Sequence, residues 1–425
     1  MLDINFVRNN AHIVREDLKK RGWEDKLSLL DEVISNDFEW RQLKGELDEL
    51  KSRRNKANSE INDARKKGED ITKLVQEMKS LPERIVKGEE KSKELLENIR
   101  QCLLRIPNVL HESVPIGKDD SENVAIRTWG KKREFDFELK SHGELAESLN
   151  LADFKRATKI SGSGFAYLKG DLARLDLALQ QFAIDHLIKK GFTFVTPPLM
   201  MKKEAYEGVT DLGAFEDVMY KIEGEDLYLI ATSEHPLVSM YMNEVLDERE
   251  LPIKLCGLSP CFRKEIGSHG VDSRGLFRMH QFNKVEQVII CDPQDSWKIH
   301  EEIQKNSEEI FQALEIPYRV VNICTGDIGY VAAKKYDIEA WFPREKEYKE
   351  VTSASNCTGY QAVRLNLRYQ KGNERFYVHT LNNTGIATSR AMRAILENYQ
   401  NRDGSVDIPT VLQKYMGVKK LERKE

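Results

Sequence analysis

The chain has 425 residues, 40% hydrophobic and 32% charged, enough for two or three domains and a substantial core. Lys plus Arg (66) nearly balance Asp plus Glu (70), and a formal charge of -4 excludes a net-basic nucleic-acid coat, though not a local basic patch. No apolar run approaches the roughly 18 residues a membrane span needs, and the opening MLDINFVRNNAHIVRED has no signal-peptide core, so a soluble cytoplasmic protein without membrane association is expected.

From Phe38 to about Ile106 charges run throughout, Trp40 is the only tryptophan, and Pro82 is the only proline. Leu43, Leu47, Leu50, Arg54, Ala57, Ile61 and Ala64 recur at alternating spacings of four and three. The stretch Lys66 to Asp70 breaks the pattern, and Ile71, Leu74, Met78, Leu81, Ile85, Gly88, Ser92, Leu95, Ile99, Cys102 and Ile106 resume it. Two heptad helices joined by a Gly-containing turn predict an antiparallel coiled-coil hairpin over about 38–106, an arm on the order of 40 Å long. Arg54, Gly88 and Ser92 fall on the seam, and Pro82 is expected to kink or restart the second helix. Lys51, Arg53, Arg54, Lys56, Arg65, Lys66 and Lys67 gather toward the tip, diluted by Glu60, Asp63, Glu69 and Asp70. Charge alone does not choose between a spacer, a dimerising coil and a probe for a polyanion.

Beyond about residue 108 the pattern is mixed. An amphipathic helix from about Leu172 to Lys190 runs into a short strand stopped by Pro197-Pro198. Strand, long loop, strand follows over IKLCGLSPCFRKEIGSHGVDSRGLFRMHQFNKVEQVIIC, then an amphipathic helix from Ser296 and further strands around Tyr318 and Tyr336. This irregular order favours an α+β domain, an antiparallel sheet flanked by helices, over a doubly wound parallel one. Neither G-x-G-x-x-G nor G-x-x-x-x-G-K-[ST] occurs. Cys102, Cys256, Cys261, Cys291, Cys324 and Cys357 include no C-x-x-C pair, so reduced thiols and no zinc are expected.

RGLFRMHQFNKVEQVIIC (274–291) carries the chemistry. At period two, Arg278, His280, Phe282, Lys284 and Glu286 share one side of a strand that heads into an apolar run. Arg263 and Glu265 are two apart and would share a face of the preceding strand; Gly267, Gly270, Gly275 and Arg274 lie between the two. Such a face could be a solvated salt-bridge lattice. Its alternative is a platform where a ring flanked by arginines stacks a base and guanidinium forks hold phosphate. Arg390 stands near a helix start, where the dipole disfavours a cation, and Glu350 precedes a run of small hydroxyl residues suited to Mg2+.

These segments resemble the three signature motifs of class II aminoacyl-tRNA synthetases: the helix and strand ending at Pro197-Pro198, CFRKE with FRMHQFNKVEQ, and NNTGIATSRAMRAILENYQ. ATSEHPL, EVTSASNCTGYQAVR, LNNTG and the N-terminal hairpin make the chain similar, over nearly its whole length, to the seryl-tRNA synthetases. ATSE and HPL lean toward the archaeal or eukaryotic branch of the standard type. Ala354 stands where a cysteine is common and Gly164 where an arginine is expected.

The resemblance implies an N-terminal tRNA-binding domain (1–107) and a catalytic domain (108–425) that forms seryl-adenylate from serine and ATP, then charges serine tRNA. Selenocysteine tRNA stays open as a second acceptor. Arg263, Arg278 and Arg390 are implied to be catalytic. Serine falls to Thr232, Ser233, Glu234, Arg263, Glu286, Asn382 and Thr384. ATP falls to Arg263, Lys264, Glu265, Arg278, Met279, Phe282, Glu350, Val351, Thr352, Ser353 and Arg390, with Mg2+ on Glu350 and Ser353. Lys51, Arg53, Arg54 and Lys56 would meet tRNA, and a homodimer would form on the first motif. Two other readings compete: a paralogue kept for its fold, which would be free to lose some of Arg263, Glu286, Glu350 and Arg390, and an enzyme charging a carrier protein, which would lack the hairpin.

Overall fold

A computed structural model of the protein describes every residue except 69, 212, 214, 215, 266–274, 424 and 425, and the side chains of 73, 74 and 77. Glu69, Gly267, Gly270, Arg274 and the seam side chain of Leu74 therefore lie outside the described residues. The chain divides into two compact units, Met1–Val109 and Leu110–Glu425.

In the first unit, α1 (Ile4–Lys20) is capped by Asp3, whose carboxylate accepts from Asn5 N–H at 2.9 Å. The hairpin is α2 (Leu27–Lys67) and α3 (Thr72–Leu104). Its first helix is 41 residues long and starts well before Phe38; Leu29, Leu30 and Val33 are buried in its opening turns, and α1 packs against it. Arg8 locks the two together, donating to both Asp37 oxygens at 2.9 and 2.7 Å.

The predicted seam is the buried one: Leu47, Ala57 and Ala64 on α2, and Leu81, Ile85, Leu95, Ile99 and Cys102 on α3. Its imperfections have local reasons. A Cβ on Gly88 would approach Leu47 Cδ2 to 2.6 Å, so the glycine is what lets Leu47 in. Ser92 accepts a hydrogen bond from Trp40 Nε1 at 3.1 Å. The expected restart at Pro82 does not occur; α3 runs through it as one helix. A mid-helix proline costs about 3 kcal/mol, which burial of Leu81 and Ile85 at about 1.5–3 kcal/mol each can offset. Gly68, at φ +71, closes α2, and Asp70 receives Thr72 N–H at 2.9 Å to start α3.

The second unit is built on an eight-stranded sheet among the described residues. In chain order its elements are β1 (Val124–Trp129), α4 (His142–Ser148), α5 (Gly170–Lys189), β2 (Thr193–Val195), α6 (Glu234–Ser239), β3 (Ile253–Phe262), β4 (Gln281–Cys291), α7 (Ser296–Ala313), β5 (Tyr318–Asn322), β6 (Lys334–Phe342), β7 (Glu347–Asn356), β8 (His379–Ala387) and α8 (Thr388–Asn398). The strand order is β1-β5-β6-β7-β8-β4-β3-β2, antiparallel throughout except for the parallel β2–β3 pair. Val285 and Ile289 of β4 face the core that α5, α7 and α8 cover. Val288 and Ile290 face a second cluster that includes α6. Between them the strand is buried from Lys284 onward, so its polar residues sit where water is scarce.

Candidate active site

Five elements converge on a cleft of about 440 Å³. The even-numbered face of β4 contributes Phe282, Lys284 and Glu286, and its neighbour β8 contributes Asn382 and Thr384. The β7 strand brings Glu350, Ser353 and Ser355, the first turn of α8 brings Arg390, and the residues entering α6 bring Thr232 and Glu234. Arg263 follows β3 directly; its N–H donates to His280 O at 2.9 Å and extends the ladder one step.

Two β-bulges re-aim these side chains. Glu350 and Ser353 are three apart, which puts them on opposite faces of a regular strand. The register slips at Val351: Ile338 pairs with Thr352, but Glu339 pairs with Glu350. Glu350 thereby swings to the cleft side with Ser353 and Ser355, while Thr352 is left buried on the far side. A second slip at Gly385 lies between Thr384, opposite Glu286, and Ile386, opposite Val285.

One end of the cleft is a buried carboxylate pocket. Lys284 and Glu286 form a short ion pair, and Thr384 Oγ1 donates to Glu286 at 3.5 Å. Glu234 Oε1 accepts from Gln361 Nε2 at 3.1 Å, and Gln361 in turn takes the Thr380 hydroxyl at 2.6 Å. Burial, reinforced by the Glu286 charge, pushes Glu234 up to about 7. Burial also raises Glu286, against the opposing pull of Lys284 and Arg263. The pocket is short of positive charge, and a small ammonium would supply it.

The other end is cationic. Arg390 pairs with Glu350 at 2.9 Å, and Arg263 lies over the Phe282 ring, 5.3 Å from its centroid, with Nε donating to Ala231 O at 3.3 Å. Burial would raise Glu350, but Arg390 and Lys335 outweigh it and hold the carboxyl below its usual range. Asp337, behind Ser353, is pushed up to about 7 by burial despite Lys335. Among the described residues no group of three or more His, Cys, Asp or Glu could hold a metal. A cation at Glu350 and Ser353 would have two protein oxygens and would complete its shell with phosphate and water, the habit of Mg2+.

Eleven of the sequence-predicted residues line the cleft: Thr232, Glu234, Arg263, Phe282, Glu286, Glu350, Val351, Ser353, Asn382, Thr384 and Arg390. Six are elsewhere. β3 ends at Phe262, so Lys264 and Glu265 lie beyond the strand; Glu265 turns to φ +45 and does not share a strand face with Arg263. β4 begins at Gln281 rather than near residue 274, so Arg278 precedes it, half exposed and 4.0 Å from Glu265. His280, expected on the same face, is instead stacked on Phe165, and its Nδ1 is hydrogen-bonded to Tyr220 OH at 2.5 Å. Met279 is buried in the core, Thr352 faces away, and the Ser233 hydroxyl donates to Gly257 O at 3.2 Å. Gly164, at φ +80, is packed so that a Cβ would run into the His280 ring, which is why no longer side chain stands there. Lys284, Lys335 and Gln361 received no role from sequence. Lys284 was signalled by its alternation with Glu286, and Lys335 by alternation with Asp337; Gln361 had no signal.

The seryl-tRNA synthetase N-terminal domain family matches residues 1–110, and the class II tRNA synthetase core domain family (G, H, P, S and T) matches 218–399. A serine–tRNA ligase of Methanospirillum hungatei is 59% identical, covering 99% of each chain, and that of Pyrococcus horikoshii is 51% identical over 100% of this chain and 99% of its own. The crystal structure of the Pyrococcus horikoshii seryl-tRNA synthetase complexed with ATP superposes with TM-score 0.95 at 50% identity, covering both chains fully. The cytoplasmic enzyme of Naegleria fowleri in complex with AMP gives 0.90 at 37%, covering 100% of this chain and 99% of that one. Matched along nearly its whole length by curated relatives, and over residues 1–110 and 218–399 by the two family models, the chain belongs to the seryl-tRNA synthetase family.

Proposed function

We propose that the cleft activates L-serine with ATP and that the product is transferred to serine tRNA. The observation that carries this reading is the juxtaposition, in one cleft, of the Glu286 and Glu234 carboxylates with Arg263 over the Phe282 ring and with Arg390. The ATP and AMP complexes of the two structural relatives support the nucleotide assignment.

The serine ammonium sits against Glu286 and Glu234, with the Thr232, Thr384 and Asn382 polar groups reading the hydroxyl. A serine carboxylate oxygen attacks the α-phosphorus in line; the bond to the bridging oxygen breaks, and pyrophosphate leaves. Arg263 holds the α-phosphate and the attacking carboxylate, Phe282 stacks the adenine, and Arg390 grips the terminal phosphates, joined by Arg278 from the rim. Mg2+ on Glu350 and Ser353 would neutralise phosphate charge. Positioning and electrostatics therefore do most of the chemistry. A ribose hydroxyl at the tRNA 3' end then attacks the carbonyl carbon of the adenylate, and AMP departs.

The arm grips tRNA by backbone and shape. Lys56 is exposed; Lys51 pairs with Glu89 at 2.8 Å and Arg53 with Glu60 at 3.4 Å, so these cations exchange a carboxylate for a phosphate on binding. A homodimer covers the apolar side chains that α5 and β2 leave exposed, Leu177, Ile188 and Phe194. Such an enzyme works in the cytoplasm, where its substrates are. Amino-acid-dependent ATP–pyrophosphate exchange tests the core of the reading: serine should support it, while alanine, threonine and glycine should fall at least about tenfold short, because each leaves a polar partner unpaired or clashes. Equal rates with alanine would refute hydroxyl recognition.

A further inference from the structure

Residues Gly275 to Arg278 lead into β4 and carry Arg278 to within 4.0 Å of Glu265. What holds this short segment is a histidine on a distant element. We propose that His142 is a positioning residue for the nucleotide end of the cleft, clamping Leu276 and thereby keeping Arg278 and Arg390 in register. The proposal rests on the reading that these two arginines hold ATP phosphates.

His142 is the first residue of α4, whose start is fixed by a capping box between Ser141 and Glu144. Its ring is buried and bonded at both ends: Nε2 lies 3.0 Å from Leu276 N, and Nδ1 lies 2.8 Å from Glu397 Oε1. A backbone N–H can only donate, so Nε2 accepts; the neutral ring then carries its proton on Nδ1, facing the carboxylate. Glu397 belongs to α8, where Arg393 Nε donates to the same oxygen at 3.1 Å and Arg393 Nη2 to Glu345 at 2.6 Å. Gly275, at φ +107, lies so flat against the imidazole that a Cβ would fall on Nε2.

The clamp touches α8 twice. The first contact is Glu397. The second is Phe277, the residue after Leu276, whose ring centroid is 4.4 Å from the Arg393 guanidinium and 5.4 Å from that of Arg390. Fixing Leu276 thus fixes the ring against which Arg390 rests, and the Arg278 that follows it. If His142 were only core filling, its two ends would be equivalent. The geometry makes them different: one end holds the nucleotide segment, the other anchors the ring.

That asymmetry is testable. In His142→Asn the amide reaches about as far as Nδ1 and keeps Glu397, but loses Leu276. In His142→Gln it reaches Nε2 and keeps an acceptor for Leu276, but loses Glu397. Both lose the ring, so both should melt below the parent by similar amounts. In serine-dependent pyrophosphate exchange, H142N should raise the KM for ATP about tenfold, the loss of one buried hydrogen bond, with the KM for serine within about twofold. H142Q should stay within about threefold of the parent for both substrates. Arg390→Ala, measured alongside, separates the two layers. If it leaves the ATP KM unchanged, the phosphate reading of the cleft fails and takes the clamp with it. If it raises the ATP KM while H142N and H142Q are alike, or while ATP and serine KM move together in H142N, the clamp alone is overturned.

Discussion

The hairpin and the cleft bury polar groups in opposite ways. In the arm the seam is mostly apolar: Gly88 admits Leu47, Ser92 satisfies Trp40, and Arg54 on it is only half-buried. Toward its tip charges stay at the surface, as in Lys51–Glu89 and Arg53–Glu60, worth about 0–1 kcal/mol each. In the cleft, Lys284 and Glu286 are buried, and Glu234, half-buried beside them, is raised to about 7. A surface that meets a large polyanion needs reach and exchangeable partners. A site that discriminates one small molecule needs desolvated groups that penalise the wrong one.

The largest effect expected from breaking the contrast is at Arg263. Arg263→Ala removes a cation from the reacting phosphate, and exchange should fall about a thousandfold, while circular dichroism of the helices stays unchanged. Near-normal exchange in a folded mutant would remove Arg263 from the chemistry. Next is Glu286→Gln, which leaves Lys284 buried without its counter-charge. The KM for serine should rise about tenfold or more and the melting temperature should drop, with the KM for ATP little changed; equal weakening of both substrates would move Glu286 out of the amino-acid pocket.

The smallest effect is in pH. An acid whose folded pKa is raised favours the folded state at low pH, and that contribution is lost as pH climbs from the usual 4.5 through about 7. Glu234→Gln should therefore become more stabilising, relative to the parent, over that window and then level off. The serine ammonium prefers the charged carboxylate, so the KM for serine should fall as pH rises toward about 7 and flatten above it. The other charges facing Glu234 are Glu286, Lys284 and Arg263, and Gln361 donates to it. A serine KM that is flat from pH 6 to 8 would assign the ammonium to Glu286 alone.

The arm was legible because a heptad repeat states both the helix and its partner face. Its true start at Leu27 was not, because the stripe of Leu30, Val33, Asp37 and Trp40 that leads into it is interrupted by a buried carboxylate, Asp37. The sheet face of Phe282, Lys284 and Glu286 was legible from alternation, but alternation was carried too far: it included Arg278 and His280, which precede the strand, and Glu265, which follows one. The bulge at Val351 could have been found, because Glu350 and Ser353 share a face only if the strand slips. Gln361 and His142 act on groups 127 and 134 positions away in sequence, and no local pattern announces such pairs.

The division of labour between arm and cleft is tested most directly by trimming the hairpin tip. Replacing residues 46–88 with a short turn keeps the Trp40–Ser92 contact and removes Lys51, Arg53, Arg54 and Lys56. Serine-dependent pyrophosphate exchange and aminoacylation of serine tRNA should then be measured on the same preparation. Exchange should stay within about twofold of the parent and aminoacylation should fall at least about a hundredfold, the scale set by losing several phosphate contacts. Aminoacylation that survives alongside exchange would contradict that division and reduce the arm to a spacer.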